Sequence, residues 1–253
     1  MQTLRILSYN ILRGGVGREP LLASVINEQA PDIVVLQEAT RPDVVERLAQ
    51  ATDMTVSGAM RGRSLAFMSR VPIREYHWIR PRWSQHAFLE IVPEGARMRI
   101  FGVHLSAVHA AWTEARRVRE LRSLLRTIDE HDRTQHVLVG DFNTLAPDER
   151  LDVSKLPLRL RALVWLSGGR IRWQTIAIVL GAGYVDGYRV LNEGQPGLTF
   201  PTWDPHTRLD YVFVPTAFAE RLVACAVVTE LPSLRQASDH FPVRADFAFP
   251  DPT

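Results

Sequence analysis

Nine short runs rich in apolar and β-branched residues recur along the chain, and they constrain the fold more than any other feature. They are LRILSY (4–9), DIVVLQ (32–37), SLAFMS (64–69), AFLEIV (87–92), MRIFGVHL (98–105), HVLVGD (136–141), LDYVFV (209–214), ACAVVT (224–229) and PVRADF (242–247). Each has the length and turn-rich flanks of a buried or half-buried strand. Helical patterns fill only some of the gaps. One covers 19–29 after Gly17, a second covers 42–50 with Pro42 at its start, and the clearest covers 112–130. In that third segment Ala115, Val118, Leu121, Leu125 and Ile128 recur on one face, with Arg116, Arg119, Arg122 and Arg126 mostly off it. Such a stripe of arginines reads first as a solvated helix face. The order is βαβα, then consecutive strands, one long helix and more strands. Consecutive strands call for antiparallel pairing, so a simple doubly wound sheet is excluded. Two packed sheets flanked by helices accommodate the pattern.

No internal repeat and no linker divides the chain, so one α/β domain over 1–250 is the economical expectation. At 253 residues and 46% apolar composition the chain is able to bury a large core. Charged residues make up 23% and are well mixed in sign, which excludes disorder beyond the FPDPT tail. A net charge of +2 and a pI near 9.0 are too weak to imply nucleic acid on their own. The single Cys225 cannot form an intrachain disulfide, which suits a reducing compartment. The N-terminus has no charged start, apolar stretch and cleavage site, and no window of about 18 apolar residues occurs. A cytoplasmic chain without a transmembrane segment is expected.

Residues 151–183 stand apart as an apolar-basic insert, read as two short helices around Ser167, Gly168 and Gly169. Lys155, Arg159, Arg161, Arg170 and Arg172 face only Asp152 in opposite charge. Such a pair is suited to peripheral contact with a membrane surface, to covering an active site, or to packing on the domain body.

Polar residues end or follow many of the strands: Asn10, Glu38, His104, Asp141 and Asn143, Asp210, and the pair Asp239 and His240. Singly, each is a turn former or a satisfied histidine. Together they supply the oxygen ligands that suit a hard cation such as Mg²⁺, and a histidine that a carboxylate can hold protonated. No G-x-S-x-G is present, Cys225 lies in a buried-looking run, and RGGVG (13–17) lacks the Lys-Ser/Thr of a nucleotide loop and reads as a turn.

The ordered set SYNIL, VVLQE, GVHLS, GDFNT, RLDYVFV and SDHFPV, spanning 8 to 243, resembles the endonuclease/exonuclease/phosphatase superfamily. That superfamily includes deoxyribonucleases, abasic-site endonucleases, neutral sphingomyelinases and inositol polyphosphate phosphatases. The resemblance implies a four-layer α/β sandwich with two mixed, largely antiparallel sheets. It also implies that Glu38 is the principal Mg²⁺ carboxylate, with Asn10 close to the metal, Asp239 a second ligand, and Mn²⁺ an alternative ion. Asp141 then orients or deprotonates the attacking water, Asn143 fixes that water or the phosphate, and Asp210 orients His240. His240 contacts the scissile phosphate or serves as base, and His104 matches the phosphate histidine of deoxyribonuclease-like members. The family accounts leave the base open between Asp141 and His240.

The substrate expected is a phosphate ester, with nucleic acid ahead. SYNILRGG and His104 depart from the pattern of abasic-site endonucleases. The alternative is a phospholipid or sphingolipid head group, supported by Trp165 and Trp173 in the insert. A catalytically silent binding protein is the third reading, and it predicts damage at a catalytic position where none is seen.

Overall fold

The computed structural model describes residues 2–81, 84, 86–95, 98–107, 110–129, 135–147, 149, 152–156, 158–166 and 173–250. In chain order the elements are β1 (Gln2–Asn10), α1 (Glu19–Gln29), β2 (Ile33–Gln37), α2 (Pro42–Ala51), β3 (Val56–Gly58) and β4 (Ala66–Ser69). There follow β5 (Ile73–Ile79), β6 (Phe88–Pro93), β7 (Arg99–His104), α3 (Ala111–Asp129), β8 (His136–Asp141), α4 (Leu158–Leu166) and α5 (Thr175–Gly181). The last are β9 (Tyr184–Asp186), α6 (Gly187–Leu191), β10 (Asp210–Pro215), β11 (Leu222–Val227), α7 (Leu234–Ala237) and β12 (Val243–Phe249).

The strands form two sheets, ordered β11-β12-β1-β2-β4-β3 and β5-β6-β7-β8-β10-β9. Among the described residues only β1 with β2 and β7 with β8 pair in parallel; the other pairings in both sheets are antiparallel. Each parallel pair is the centre of its sheet and is joined by a helix, α1 in one case and α3 in the other, as a parallel pair requires. The two carboxyl ends of each parallel pair therefore emerge on the same edge.

Side-chain alternation sorts the core into three layers. On β1, Leu4 and Ile6 enter the core between the sheets while Leu7 and Tyr9 face the helices α1 and α2. Val137 and Val139 of β8 likewise face inward between the sheets, and Leu138 packs with Leu121 and Leu124 of α3. With helices outside both sheets, the result is the expected four-layer α/β sandwich.

Three strands escape the sequence pattern, β3, β5 and β9, and each lies at a sheet edge. β5 carries Arg74, Glu75 and His77, and each of its residues is partly buried or exposed, none fully buried. An edge strand needs no apolar run and is protected by charge. β11 begins two residues before its predicted start, across a register shift between Leu222 and Ala224.

The stripe on α3 also needs correction. Val118, Leu121, Leu125 and Ile128 are buried as expected, but Ala115 is exposed. In its place the first half of the helix buries Thr113, Glu114, Arg117 and Glu120. Arg119, Arg122 and Arg126 lie on the exposed side, as a solvated face should. In the insert, Leu156 and Val164 are buried, Leu160 and Leu163 are half-buried, and the expected turn at Ser167, Gly168 and Gly169 lies outside the described residues, as do Arg170 and Arg172.

Candidate active site

The polar strand ends do meet, at the edge where both parallel pairs finish. Asn10 closes β1, is buried, and donates its Nδ2 hydrogen to Asp141 Oδ2 across the gap between the sheets at 3.0 Å. Its Oδ1 accepts the Leu12 N–H at 3.0 Å. Glu38 follows β2 with φ 56°, a left-handed conformation that costs a non-glycine residue on the order of 1 kcal/mol. Its Oε2 accepts the Arg13 N–H at 2.5 Å. The RGG turn is thus a 3-10 turn as well as a backbone donor to this carboxylate. The Arg18 guanidinium gathers the same region, donating to the carbonyls of Ile11, Leu12 and Ala237.

In the other sheet His104 and Asp141 are register neighbours at the ends of β7 and β8. Gly140 just before them has φ 145°, and a Cβ there would stand 1.9 Å from the Val103 carbonyl oxygen. Only glycine permits this close approach. Asp141 Oδ1 accepts the Asn143 N–H at 2.8 Å, and Asn143 Nδ2 donates to the Leu105 carbonyl at 3.0 Å. Asn143 itself sits at φ 52°. The GDFN segment is therefore a self-braced turn with its carboxylate pinned on both oxygens.

Asp210 opens β10 opposite Asp141 in register. Its Oδ2 lies 2.8 Å from His240 Nδ1. The other imidazole nitrogen of His240 is 3.9 Å from Asp141 Oδ2, and His104 Nε2 is also 3.9 Å from that atom. Ser238 ties the last segment to the first, donating its hydroxyl to the Asn10 carbonyl at 2.6 Å. The ring of Phe200 packs on His240 with centroids 4.8 Å apart. Asp239, half-buried between these, has its carbonyl bound by the Thr202 N–H at 2.9 Å.

Burial and crowding separate the proton affinities of these groups. Burial raises the Asp141 carboxyl, Asp210 adds to the rise, and His240 with the Asn143 and Asn10 donors opposes it, leaving it pushed up to about 7. Burial alone would lower His240, but Asp210 and Asp141 outweigh it and hold the imidazole up at about 10. His104 goes the other way: burial, then His86 and His240, depress it to about 3. Asp239 is raised by burial and by the negative charge of Glu38. Like-charged carboxylates drawn together in this way, with Asn10 beside them, form an oxygen donor set that fits a hard divalent cation. A second group of ligand-type atoms, from Asp141, Asp210 and His240, lies within 4.8 Å of one another.

The His104 shift has a consequence for stability. Unfolded, the ring titrates near its ordinary value of about 6.5; folded, it resists protonation down to about 3. Between these values the unfolded chain binds the extra proton, so His104 erodes stability as pH falls. Asp141, raised from an ordinary value of about 4 to about 7, acts in the opposite direction over much of the same window. Removing His104 alone therefore unmasks the difference. His104→Asn is expected to cost about 1–2 kcal/mol less at pH 5 than at pH 7. Urea unfolding at both pH values in chelator measures this, and equal costs would exclude the buried neutral imidazole.

Sequence reading missed the layer behind the site. Glu114 Oε2 accepts from Thr144 Oγ1 at 2.8 Å and from Arg117 Nε at 3.0 Å. Its Oε1 accepts from the Gln174 and Thr175 amides, both at 2.8 Å. Arg117 also donates to the Ser106 carbonyl at 2.7 Å. The pair thus clamps the loop after β7, the loop after β8 and the return of the insert. Arg208 forms a similar brace, reaching Glu149 at 2.7 Å and Asp186 at 2.6 Å. His86, whose ring lies 5.6 Å from that of His104, was also unmarked. Glu114 and Arg117 do stand three apart on one helix, but that spacing is equally common on solvated faces. Arg41 pairs with Asp43 on the surface, Arg61 is exposed and Arg63 half-buried, so none of the three is drawn into the cluster.

A four-layer sandwich with a buried Asp-His-Asn cluster and a half-buried Glu38 at the shared edge of its two sheets defines a family of phosphoester hydrolases. The Endonuclease/Exonuclease/phosphatase family matches residues 7–240, and the chain belongs to it. Solved structures agree on the fold. The 3′ phosphatase NExo from Neisseria, bound to a product DNA hairpin, superposes with TM-score 0.74 at 21% identity, covering 97% of this chain and 100% of that one. An AP endonuclease from Archaeoglobus fulgidus gives 0.71 at 18% identity, covering 97% and 100%. D. rerio TDP2 complexed with a single-strand DNA product gives 0.68 at 22% identity, covering 98% and 100%. No curated protein matches in sequence.

Proposed function

We propose that this chain is a divalent-metal-dependent phosphodiesterase that cleaves a nucleic-acid backbone by in-line attack of water. The observation that carries the reading is the setting of Asp141. Its two oxygens are fixed by Asn10 and Asn143, and two imidazole Nε2 atoms each stand 3.9 Å away. A carboxylate so held, with proton affinity near neutrality, is suited to aim and deprotonate water. That favours Asp141 over His240 as the base, because His240 is kept protonated by Asp210 and suits contact with a phosphate oxygen. His104, neutral, brings its Nε2 to 3.9 Å from Asp141 Oδ2 and suits contact with the ester there. Asn143 positions the water or phosphate.

Glu38, Asn10 and Asp239 would hold Mg²⁺ or Mn²⁺. When bound, the ion supplies positive charge to neutralise the anionic ester. Every one of these positions carries an intact side chain, which argues against a silent binding protein. The nucleic-acid assignment draws on NExo with its DNA hairpin and TDP2 with its DNA strand.

Hydrolysis of bis(p-nitrophenyl) phosphate with Mg²⁺ is expected, falling to background in chelator and returning when the metal is restored. Glu38→Gln should raise the Mg²⁺ concentration needed for half-maximal rate. Undiminished turnover in chelator would end the metal reading. Single-stranded DNA, abasic duplex, RNA, sphingomyelin and inositol phosphates, assayed in parallel, decide the ester; cleavage confined to the lipid would overturn the nucleic-acid assignment.

A further inference from the structure

The insert contains a helix whose outer face has no role in the chemistry above. On α4, Leu158, Arg161, Ala162, Trp165 and Leu166 follow the spacing of one helical face, and all five are exposed. Leu158 is 80% exposed, Trp165 75% and Leu166 65%. The opposite face, centred on the buried Val164, already packs inward. A helix that is apolar on both sides requires a second apolar environment for its outer stripe.

The charge pattern indicates which one. From 153 to 185 the chain holds Lys155, Arg159, Arg161, Arg170 and Arg172 and no acidic residue. Of these, Lys155 is paired with Asp204 at 3.0 Å. Arg161 lies on the exposed apolar face, where it donates to the Leu156 carbonyl at 2.8 Å and to the Ser154 carbonyl but keeps its charge without a carboxylate partner among the described residues. Arg170, Arg172 and the Arg159 side chain lie outside the described residues and enter only as sequence charge. The insert is tied at one point to the loop that carries Phe200 onto His240, and at another to the layer behind the site. Lys155 holds it to the loop of Trp203 and Asp204, and the Gln174 and Thr175 amides hold it to Glu114. Trp203 is itself 62% exposed, and Trp112, in the first turn of the helix after β7, is 50% exposed. Leucines gain nothing by stacking on bases, whereas leucine, tryptophan and arginine together match the boundary between acyl chains and anionic head groups.

We propose that the α4 face docks this protein on an anionic lipid bilayer, with the insert as a shallow anchor beside the active site. The proposal does not depend on which phosphate ester is cleaved, nor on the catalytic roles assigned above. Sedimentation of the full chain with phosphatidylcholine vesicles, with and without phosphatidylglycerol, tests it. Binding is expected to vesicles containing phosphatidylglycerol, to weaken as salt is raised, and to fall about tenfold or more in the Trp165→Ser/Leu166→Ser variant. The variant should hydrolyse soluble bis(p-nitrophenyl) phosphate at the parental rate, which separates lost docking from lost folding.

Equal, negligible binding to both vesicle types would overturn the proposal, as would binding indifferent to the substitutions. A dimer of the parent that dissociates in the variant would overturn it in favour of a second copy on this face. Single-stranded DNA binding that alone is lost in the variant would assign the face to nucleic acid instead. Failure of any of these leaves the hydrolase reading standing, because that is judged by turnover in chelator.

Discussion

Asp141→Asn is expected to lower the turnover of bis(p-nitrophenyl) phosphate by about 10²–10⁴-fold, the range associated with loss of a positioned acid or base. The substitution keeps the shape of the side chain and one oxygen acceptor, so the turn to Asn143 should survive while the Asn10 hydrogen bond to the other oxygen is lost. It also removes a buried carboxyl that is held above its ordinary range chiefly by burial. Stability at neutral pH should therefore be unchanged or higher while activity falls. That combination distinguishes a functional carboxylate from a structural one. Retention of near-parental turnover in the folded variant would remove Asp141 from the mechanism, and a loss that merely tracked unfolding would assign it to the scaffold.

Arg117→Ala should produce the largest loss of stability. Arg117 is 0% exposed and contacts the Glu114 carboxylate at 3.0 Å through both Nε and a terminal nitrogen. Truncating it leaves a buried carboxylate with its charge unmatched, a change that costs about 3–5 kcal/mol where buried pairs are broken. It also releases the Ser106 carbonyl. For a chain of this size that amounts to a drop in melting temperature of roughly 6–20 °C. Glu114→Ala in the Arg117→Ala background should add much less than it does alone, because the charge it removes is already unpaired. Thermal unfolding of the two single variants and the double variant measures this. Additive losses would show that the pair does not act as a unit.

The two predictions fall on residues of very different visibility in the sequence. Asp141 stands in GDFNT, at the end of a run whose residues alternate between two cores. Its strand was predicted at 136–141, and it is found there. Arg117 sits in a helix rich in arginine, and nothing local separates it from Arg116 or Arg119. What buries it is the arrival of residues 144 and 174–175 from elsewhere in the chain. The three unread strands follow the same logic. β3, β5 and β9 each have a neighbour on one side only, so no apolar alternation is imposed on them, and the pairing that makes them strands is supplied by β4, β6 and β10.

The sequence by itself determined the central strands, the helices that cross over between the parallel pairs, and the residue types available for chemistry. These depend on periodicity and on short motifs, which are local. The tertiary structure alone decided that Asn10 would reach Asp141 from the other sheet, that His104 would be neutral while His240 holds its proton, and that α4 would turn leucine and tryptophan outward. Each of those depends on distance, burial and the charge of residues remote in the chain, and such quantities exist only once the two sheets have closed on one another.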